Sequence, residues 1–313
     1  MSSIQDVYHN DSLRLARKGY GLFFALLTIY LYFFQFPSFC KRYLWQYVLL
    51  IQNINLMYFI TSYSIHEFIF IVGNIIWYFI YINKFAFLEK YRISPQKAWP
   101  WEENPLKWRE TFIKTMKSLL MIHFILIPIA TGIEAYLGVA FKVSLEEWPH
   151  VSEIVTQIAF FMICEDFTFY WGHRALHSKT IYPRIHKIHH EYYNPIALCS
   201  EYAHPVEFLL VNMLPNAVGS KILGAKVHLA TYILWLIIRV CETLDGHSGY
   251  EFSWSPFRLL PLSGSAQYHN YHHTNNDGNY GSFFMLWDTI MGTNRNYFKF
   301  LNEQEKEEDK KKK

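Results

Sequence analysis

Residues 161–190 read FMICEDFTFYWGHRALHSKTIYPRIHKIHH, an apolar run with two adjacent acids that gives way to a dense set of histidines. His173 and His177 stand at i and i+4, so on a helix both imidazoles lie on one face about one turn apart, the geometry of a metal chelate. Nine residues later HKIHH supplies His186, His189 and His190, and far downstream HNYHH repeats the spacing with His269, His272 and His273. In an HxxHH group the i and i+3 rings are expected on one side of a short helix. The adjacent ring turns roughly 100° away, so that one segment reaches two ions. Two metals are therefore expected. His247, in ETLDGHSGY after an apolar run, is expected as a ninth ligand.

Imidazoles in this number, without cysteine partners, suit iron, zinc or copper rather than calcium or magnesium. Structural zinc needs only four ligands, and redox-inert zinc cannot carry oxidation, although it is able to occupy the same positions. Two iron ions with dioxygen as co-substrate are the expectation.

The 313 residues are 51% hydrophobic and 19% aromatic, more apolar material than a soluble domain of this length needs, so the fold class expected is all-α, a multi-span membrane helical bundle. Apolar runs long enough for a bilayer are Gly21 to Phe39, Glu67 to Phe87, Leu119 to Phe141 and Val151 to Trp171. A last pair covers Phe208 to Ala225 and His228 to Cys241, and Pro128, Pro215 and Gly219 interrupt these stretches. Net charge is only +3 and scattered, which argues for membrane lipid as the environment and against a nucleic-acid partner. The four cysteines form no CxxC pair, so neither disulfides nor a thiolate zinc site is indicated.

Four regions follow: a polar segment 1–20, anchoring helices 21–150, a catalytic domain 151–297 and a charged tail 298–313. Lys90, Arg92, Lys97, Arg174, Lys179, Arg184 and Lys187 flank the spans, so the positive-inside rule places the histidine-rich cap and the C-terminus in the cytosol. Lys310 and Lys311 stand four and three residues from the carboxyl end, the placement of an endoplasmic reticulum retrieval signal, on a tail expected to be solvated and disordered.

His66, His123, His150 and His228 are expected to pack rather than ligate, and His9 is expected in a mobile end. His204, flanked by Glu201 and Glu207, is expected to cap or support. Ligating imidazoles donate their other N–H to a carboxylate or carbonyl, for which Glu165, Asp166, Glu242, Asp245 and Asp288 are the acids at hand. Trp171, Tyr202 and Trp287 are expected to be packing residues.

At these boxes the chain resembles the fatty acid hydroxylase superfamily. The stretches IHKIHHEYYNPIALCSEYAHPVE, RVCETLDGHSGYEFSW and HNYHHTNNDGNYGSFFMLWDTIMGT, between about Cys164 and Thr293, resemble the 4-methylsterol monooxygenases. That resemblance implies three successive oxidations of a sterol 4-methyl group, with electrons from NAD(P)H through cytochrome b5 and its reductase. No GxGxxG or haem-attachment motif occurs, so the reductant binds elsewhere. Tyr268 and Asn270 stand where the family pattern has a histidine and an acid. The open alternatives are a hydroxylase or desaturase acting at another position of a sterol or acyl chain and, more distantly, a non-catalytic metal carrier.

Overall fold

The computed structural model describes residues 21–311 except 95, 139 and 253, so the polar segment 1–20 and His9 lie outside the described residues. The protein is helical, and among the described residues it has isolated bridges but no strand.

Helix α1 (Gly21–Val48) is built from an almost uninterrupted aromatic and aliphatic run. Helix α2 (Ile54–Asn83) starts where the Asn53 side chain accepts the Asn55 and Leu56 N–H groups, and stops where Lys84 turns left-handed at φ 44°. Helix α3 (Pro105–Tyr136) begins on the Asn104 cap with Pro105 in the first turn, where a missing N–H costs nothing. Helix α4 (Val151–Leu176) leads into the first histidines, α5 (Pro205–Lys226) follows the loop beyond them, and α6 (Leu229–Gly246) leads to His247.

Prolines at 37, 128 and 215 do not break these helices. A π-helical turn precedes each, at Leu31–Gln35, Ile122–Leu126 and Phe208–Met213, and the wider turns absorb the lost hydrogen bond and the ring.

Four helices, α1, α2, α3 and α5, are long and apolar enough to cross a bilayer. Their outward side chains include Phe23, Phe68, Ile76, Phe124, Ile133 and Leu210, all exposed, as a lipid-facing surface requires. The spans therefore depart from the sequence expectation. Crossing segments begin earlier, at Ile54 and Pro105, because a capped helix extends through polar residues that a hydropathy window rejects.

The other two expected spans, α4 and α6, are not among these four: α6 is interior, while α4 buries one face and leaves Val155, Ile163, Phe167 and Trp171 exposed on the other. Helix α6 is buried nearly all round, with Trp235 against Phe161 and Phe283. Helix α4 carries Glu165 and Asp166 inward. Close approach relies on two glycines: a Cβ on Gly219 of α5 would lie 2.8 Å from Phe161 Cα of α4, and one on Gly73 of α2 would lie 2.4 Å from Leu244 Cδ1 of α6.

Helices α4 and α6 both end at the same rim of the bundle, and that shared direction is what gathers the histidines. There α7 (Ala266–Asn275) and the short α8 (Leu286–Met291) close the cap. A layer of aromatics including Trp77, Tyr81, Trp99, Trp101, Tyr250 and Phe252 packs beside it, the composition of a membrane–water boundary. The last helix, α9 (Arg295–Lys311), corrects the expectation of a disordered tail. Its mixed acids and bases allow i,i+4 pairing such as Lys299 with Glu303 at 3.9 Å.

Candidate metal centre

Nine histidines converge at the rim in two groups. His173, His177, His186, His190 and His272 form one, and His189, His247, His269 and His273 form the other. All nine residues singled out in the sequence are therefore brought together.

The division within each HxxHH segment differs from the expectation. His186 and His190, at i and i+4, share the first group while His189 crosses to the second; His269 and His273 share the second while His272 crosses to the first. Ring geometry gives the reason. The i,i+3 rings run nearly parallel, His186 and His189 with centroids 5.5 Å apart and His269 and His272 5.7 Å apart, so each addresses a different neighbouring point. The i,i+4 rings stand edge to face and converge, with Nε2 to Nε2 distances of 3.0 Å for His186 with His190 and 3.2 Å for His269 with His273.

Each remaining ring nitrogen is spoken for in most of the set. Nδ1 of His173 faces the Tyr280 carbonyl at 3.0 Å, of His189 the Tyr202 carbonyl at 3.1 Å, and of His247 the Thr243 carbonyl at 2.8 Å. Nδ1 of His272 and of His273 face the carbonyls of Gly278 and Tyr192, and His186 Nδ1 lies 2.8 Å from Glu207 Oε1. A carbonyl only accepts, so the proton sits on Nδ1 and Nε2 is left as a bare lone pair. Yet Nε2 of His173 and of His186 are 3.1 Å apart, and Nε2 of His189 and of His247 are 3.4 Å apart. Two lone pairs repel, and neither can donate. Ligands about 2.0–2.2 Å from a common ion sit about 2.9–3.5 Å from one another, so these separations fit a cation held between them. Burial favours the same state: it pushes His189 down to about 4 and, helped by neighbouring His173, His177 down to about 2, which keeps both rings in the neutral, ligating form.

The acids expected to hold these rings do other work. Glu165 pairs with Arg239 Nε at 2.9 Å and accepts from Ser282, and Asp166 accepts the Phe284 N–H. Glu242 pairs with Arg239 Nη1 at 2.7 Å and Asp245 with Arg258 at 2.8 Å. Asp288 accepts the N–H groups of Tyr280 and Gly281, and so steadies the loop whose carbonyl holds His173. Backbone carbonyls replace these acids because the cap folds its loops directly over the rings. Sequence reasoning missed Glu207 as the acceptor for His186; its position on the helix that opens at His-Pro was the available signal.

His204 accepts the Val206 N–H and caps α5, as expected, and His228 likewise caps α6 while also contacting the Ser144 carbonyl. Tyr268 packs on Tyr297, and neither Tyr268 nor Asn270 belongs to either histidine group. All four cysteines are free. Trp287 packs on Phe167, and Tyr202 donates its hydroxyl to Glu191. A small cavity of about 30 Å³ reaches His247 and His269, and a second of about 80 Å³ shares Arg239 and Thr243 with it. His66 and His123 are not simple packing residues: with Glu201 they form a third convergent group.

Fold and site together define a multi-pass membrane protein with two buried histidine clusters at one rim. The family model described as Fatty acid hydroxylase matches residues 158–293, a range that holds all nine of these histidines. Methylsterol monooxygenase 2-2 of Arabidopsis thaliana is 37% identical over 260 residues, covering 81% of this chain and 91% of that protein. Methylsterol monooxygenase 1 of Gallus gallus is 33% identical over 257 residues, 79% of this chain and 80% of that protein. Very-long-chain aldehyde decarbonylase GL1-8 of Oryza sativa subsp. indica is 47% identical over 165 residues, 52% of this chain and 60% of that protein. No solved structure matches. The chain belongs to the fatty acid hydroxylase family and is an oxidoreductase of the monooxygenase class.

Proposed function

We propose that this protein oxidises the 4-methyl group of 4-methyl or 4,4-dimethyl sterols during sterol biosynthesis, with the nine histidines holding two iron ions. The observation that supports the metal assignment is the pairs of Nε2 atoms facing one another at 3.1 Å (His173 with His186) and 3.4 Å (His189 with His247), each with Nδ1 committed elsewhere. Two iron ions, when bound, supply the activation of dioxygen for insertion into a C–H bond.

The chain's own residues do the rest. His173, His177, His186, His190 and His272 hold one ion, and His189, His247, His269 and His273 the other. The carbonyls of Tyr280, Tyr202, Thr243, Gly278 and Tyr192 and the Glu207 carboxylate fix the rings, so the donor atoms are in place before an ion arrives. Burial under α7 and its loops keeps water from the centre. An apolar substrate fits the separate apolar cavity lined by Trp77, Ile158, Met162, Leu244, Phe252 and Phe257, while the small cavity that reaches His247 and His269, lined mainly by polar residues, opens onto the second group. Arg239, paired with Glu165 and Glu242 on its wall, supplies fixed polarity without a net unpaired charge on the cation.

Sterol chemistry rests on the methylsterol monooxygenase relatives, which align over most of the chain. By the same kinship the reaction runs through three oxidations to a carboxylate, with electrons from NAD(P)H delivered by cytochrome b5 and its reductase. Residues 21–150 anchor the protein, 151–297 form the catalytic domain and 298–313 the tail. The basic residues that flank the spans support a histidine cap facing the cytosol.

Incubating the purified protein with labelled 4,4-dimethylsterol, dioxygen and a reducing system is expected to yield the 4-carboxysterol, and His272→Ala to abolish it. Turnover of a very-long-chain aldehyde with none of the sterol would overturn the substrate assignment.

A further inference from the structure

A third convergent group lies away from the rim. His66 stands in the middle of α2, His123 in the π-helical turn of α3, and Glu201 at the end of the 3₁₀ turn Ala197–Glu201. The loop carrying Glu201 enters the bundle instead of passing over it: Ala197, Cys199, Ser200, Glu201 and Tyr202 are all buried, and the Ala197 N–H is held by the Tyr81 hydroxyl at 3.0 Å. Irregular backbone at such a position is tolerated only where protein surrounds it. π-Helical turns recur at functional sites, and this one turns His123 inward.

Both rings are held from the same side. Nδ1 of His123 lies 3.0 Å from each oxygen of Glu67, and Nδ1 of His66 lies 3.2 Å from Glu67 Oε1. One carboxylate thus accepts both Nδ1–H groups, the arrangement that fixes the tautomer of metal-binding histidines. On the far side Nε2 of His66 is 3.3 Å from Glu201 Oε1, and Nε2 of His123 is 3.4 Å from Glu201 Oε2. His123 Nε2 and Glu201 Oε2 make no hydrogen bond among the described residues, although the two side chains are only 5% and 6% exposed.

Two charge states make this cluster neutral. Either both imidazoles are protonated against two carboxylates, or both are neutral and a divalent cation balances Glu67 and Glu201. The unpartnered atoms favour the second. A protonated His123 would bury an Nε2–H that no acceptor takes up, whereas a neutral ring offers Nε2 as a free donor atom beside the unpartnered Glu201 Oε2. His66 Nε2 and His123 Nε2 face the two oxygens of one carboxylate, Glu201 Oε1 at 3.3 Å and Oε2 at 3.4 Å, so the three side chains bring donor atoms close enough to share one ion.

We infer that His66, His123 and Glu201 form a third, separate site for a borderline divalent cation of the zinc class, with Glu67 orienting both rings. His66 and Glu201 also line a cavity of about 80 Å³, which has room for a fourth ligand such as water. Three protein ligands with one open position is the pattern of an exchangeable or reactive zinc-type site rather than a closed structural one.

The site has its own ligands but adjoins the proposed pair, since the carbonyl of Tyr202 next to Glu201 faces His189, and metal counting separates them. The full-length protein in detergent, saturated with iron and then given Zn²⁺, is expected to hold three metal equivalents per chain, one of them zinc taken up without release of iron. His66→Gln and Glu201→Gln, on different elements, are each expected to stop at two, while His272→Ala loses iron and still takes up the zinc. A wild-type protein that takes up no zinc overturns the inference, and so does zinc uptake unchanged in both variants. Loss of iron binding in the wild type would instead strike the di-iron reading.

Discussion

Replacing Glu207 tests how the first histidine group is tuned, because among the described residues this is the one carboxylate that touches a ring of the pair. His186 Nδ1 lies 2.8 Å from Glu207 Oε1, both side chains are almost wholly buried, and Glu207 Oε2 has no other partner among the described residues. A hydrogen bond with one charged member contributes about 1.5–3 kcal/mol net, and at about 1.4 kcal/mol per decade that is about 10- to 150-fold in binding. Glutamine keeps an acceptor for Nδ1–H and removes the charge, so Glu207→Gln is expected near the lower end, about 10-fold. Leucine removes both, so Glu207→Leu is expected near about 100-fold, within the span known for such supporting partners. Competition with a graded chelator, followed by metal content, reads the effect as one weakened equivalent of the rim pair beside one that is unchanged. Two equally retained equivalents in Glu207→Leu, or both lost together, would refute the reasoning that Glu207 acts through His186.

Helix packing and pH give two further tests. Gly219→Ala places a methyl 2.8 Å from the Phe161 backbone and is expected to cost about 1–3 kcal/mol, whereas Gly73→Ala meets only the movable end of Leu244 and costs less. Thermal melts in detergent that rank the two variants the other way would contradict this account of the α4–α5 contact. The metal-free protein is expected to lose stability on acidification. His189 and His177 are depressed in the fold, so the unfolded chain takes up protons first. The stabilisation is complete above about pH 6.5 and drains away as pH falls through about 4 toward about 2. A melting temperature that is flat or rising between pH 7 and pH 5 would argue that these rings are not held neutral.

The i,i+4 spacing of His173 with His177 and the repeated HxxHH groups were legible because helical geometry alone brings such side chains to one end of an element. So was the membrane setting, since no soluble core of this length needs so much apolar surface. The supporting contacts were not. Five of the ring N–H groups are taken by main-chain carbonyls, which every residue possesses and no composition marks, and the acids that looked available are claimed by Arg239, Arg258 and backbone amides. Span boundaries failed for a related reason. A hydropathy window reads average polarity, while helices end at caps such as Asn53 and Asn104, and α6 is apolar because it is buried in protein.

The linear chain by itself determined the nine histidines, their helical spacing and the lipid-facing character of the flanking segments, because each is a property of neighbours within a turn or two. Only the tertiary structure decided which imidazole joins which group, since the crossing of His189 and His272 depends on two segments some eighty residues apart meeting ring to ring. It alone also joined Glu201 to His66 and His123: three elements distant in sequence share one buried point there, and no local pattern encodes a meeting of that kind.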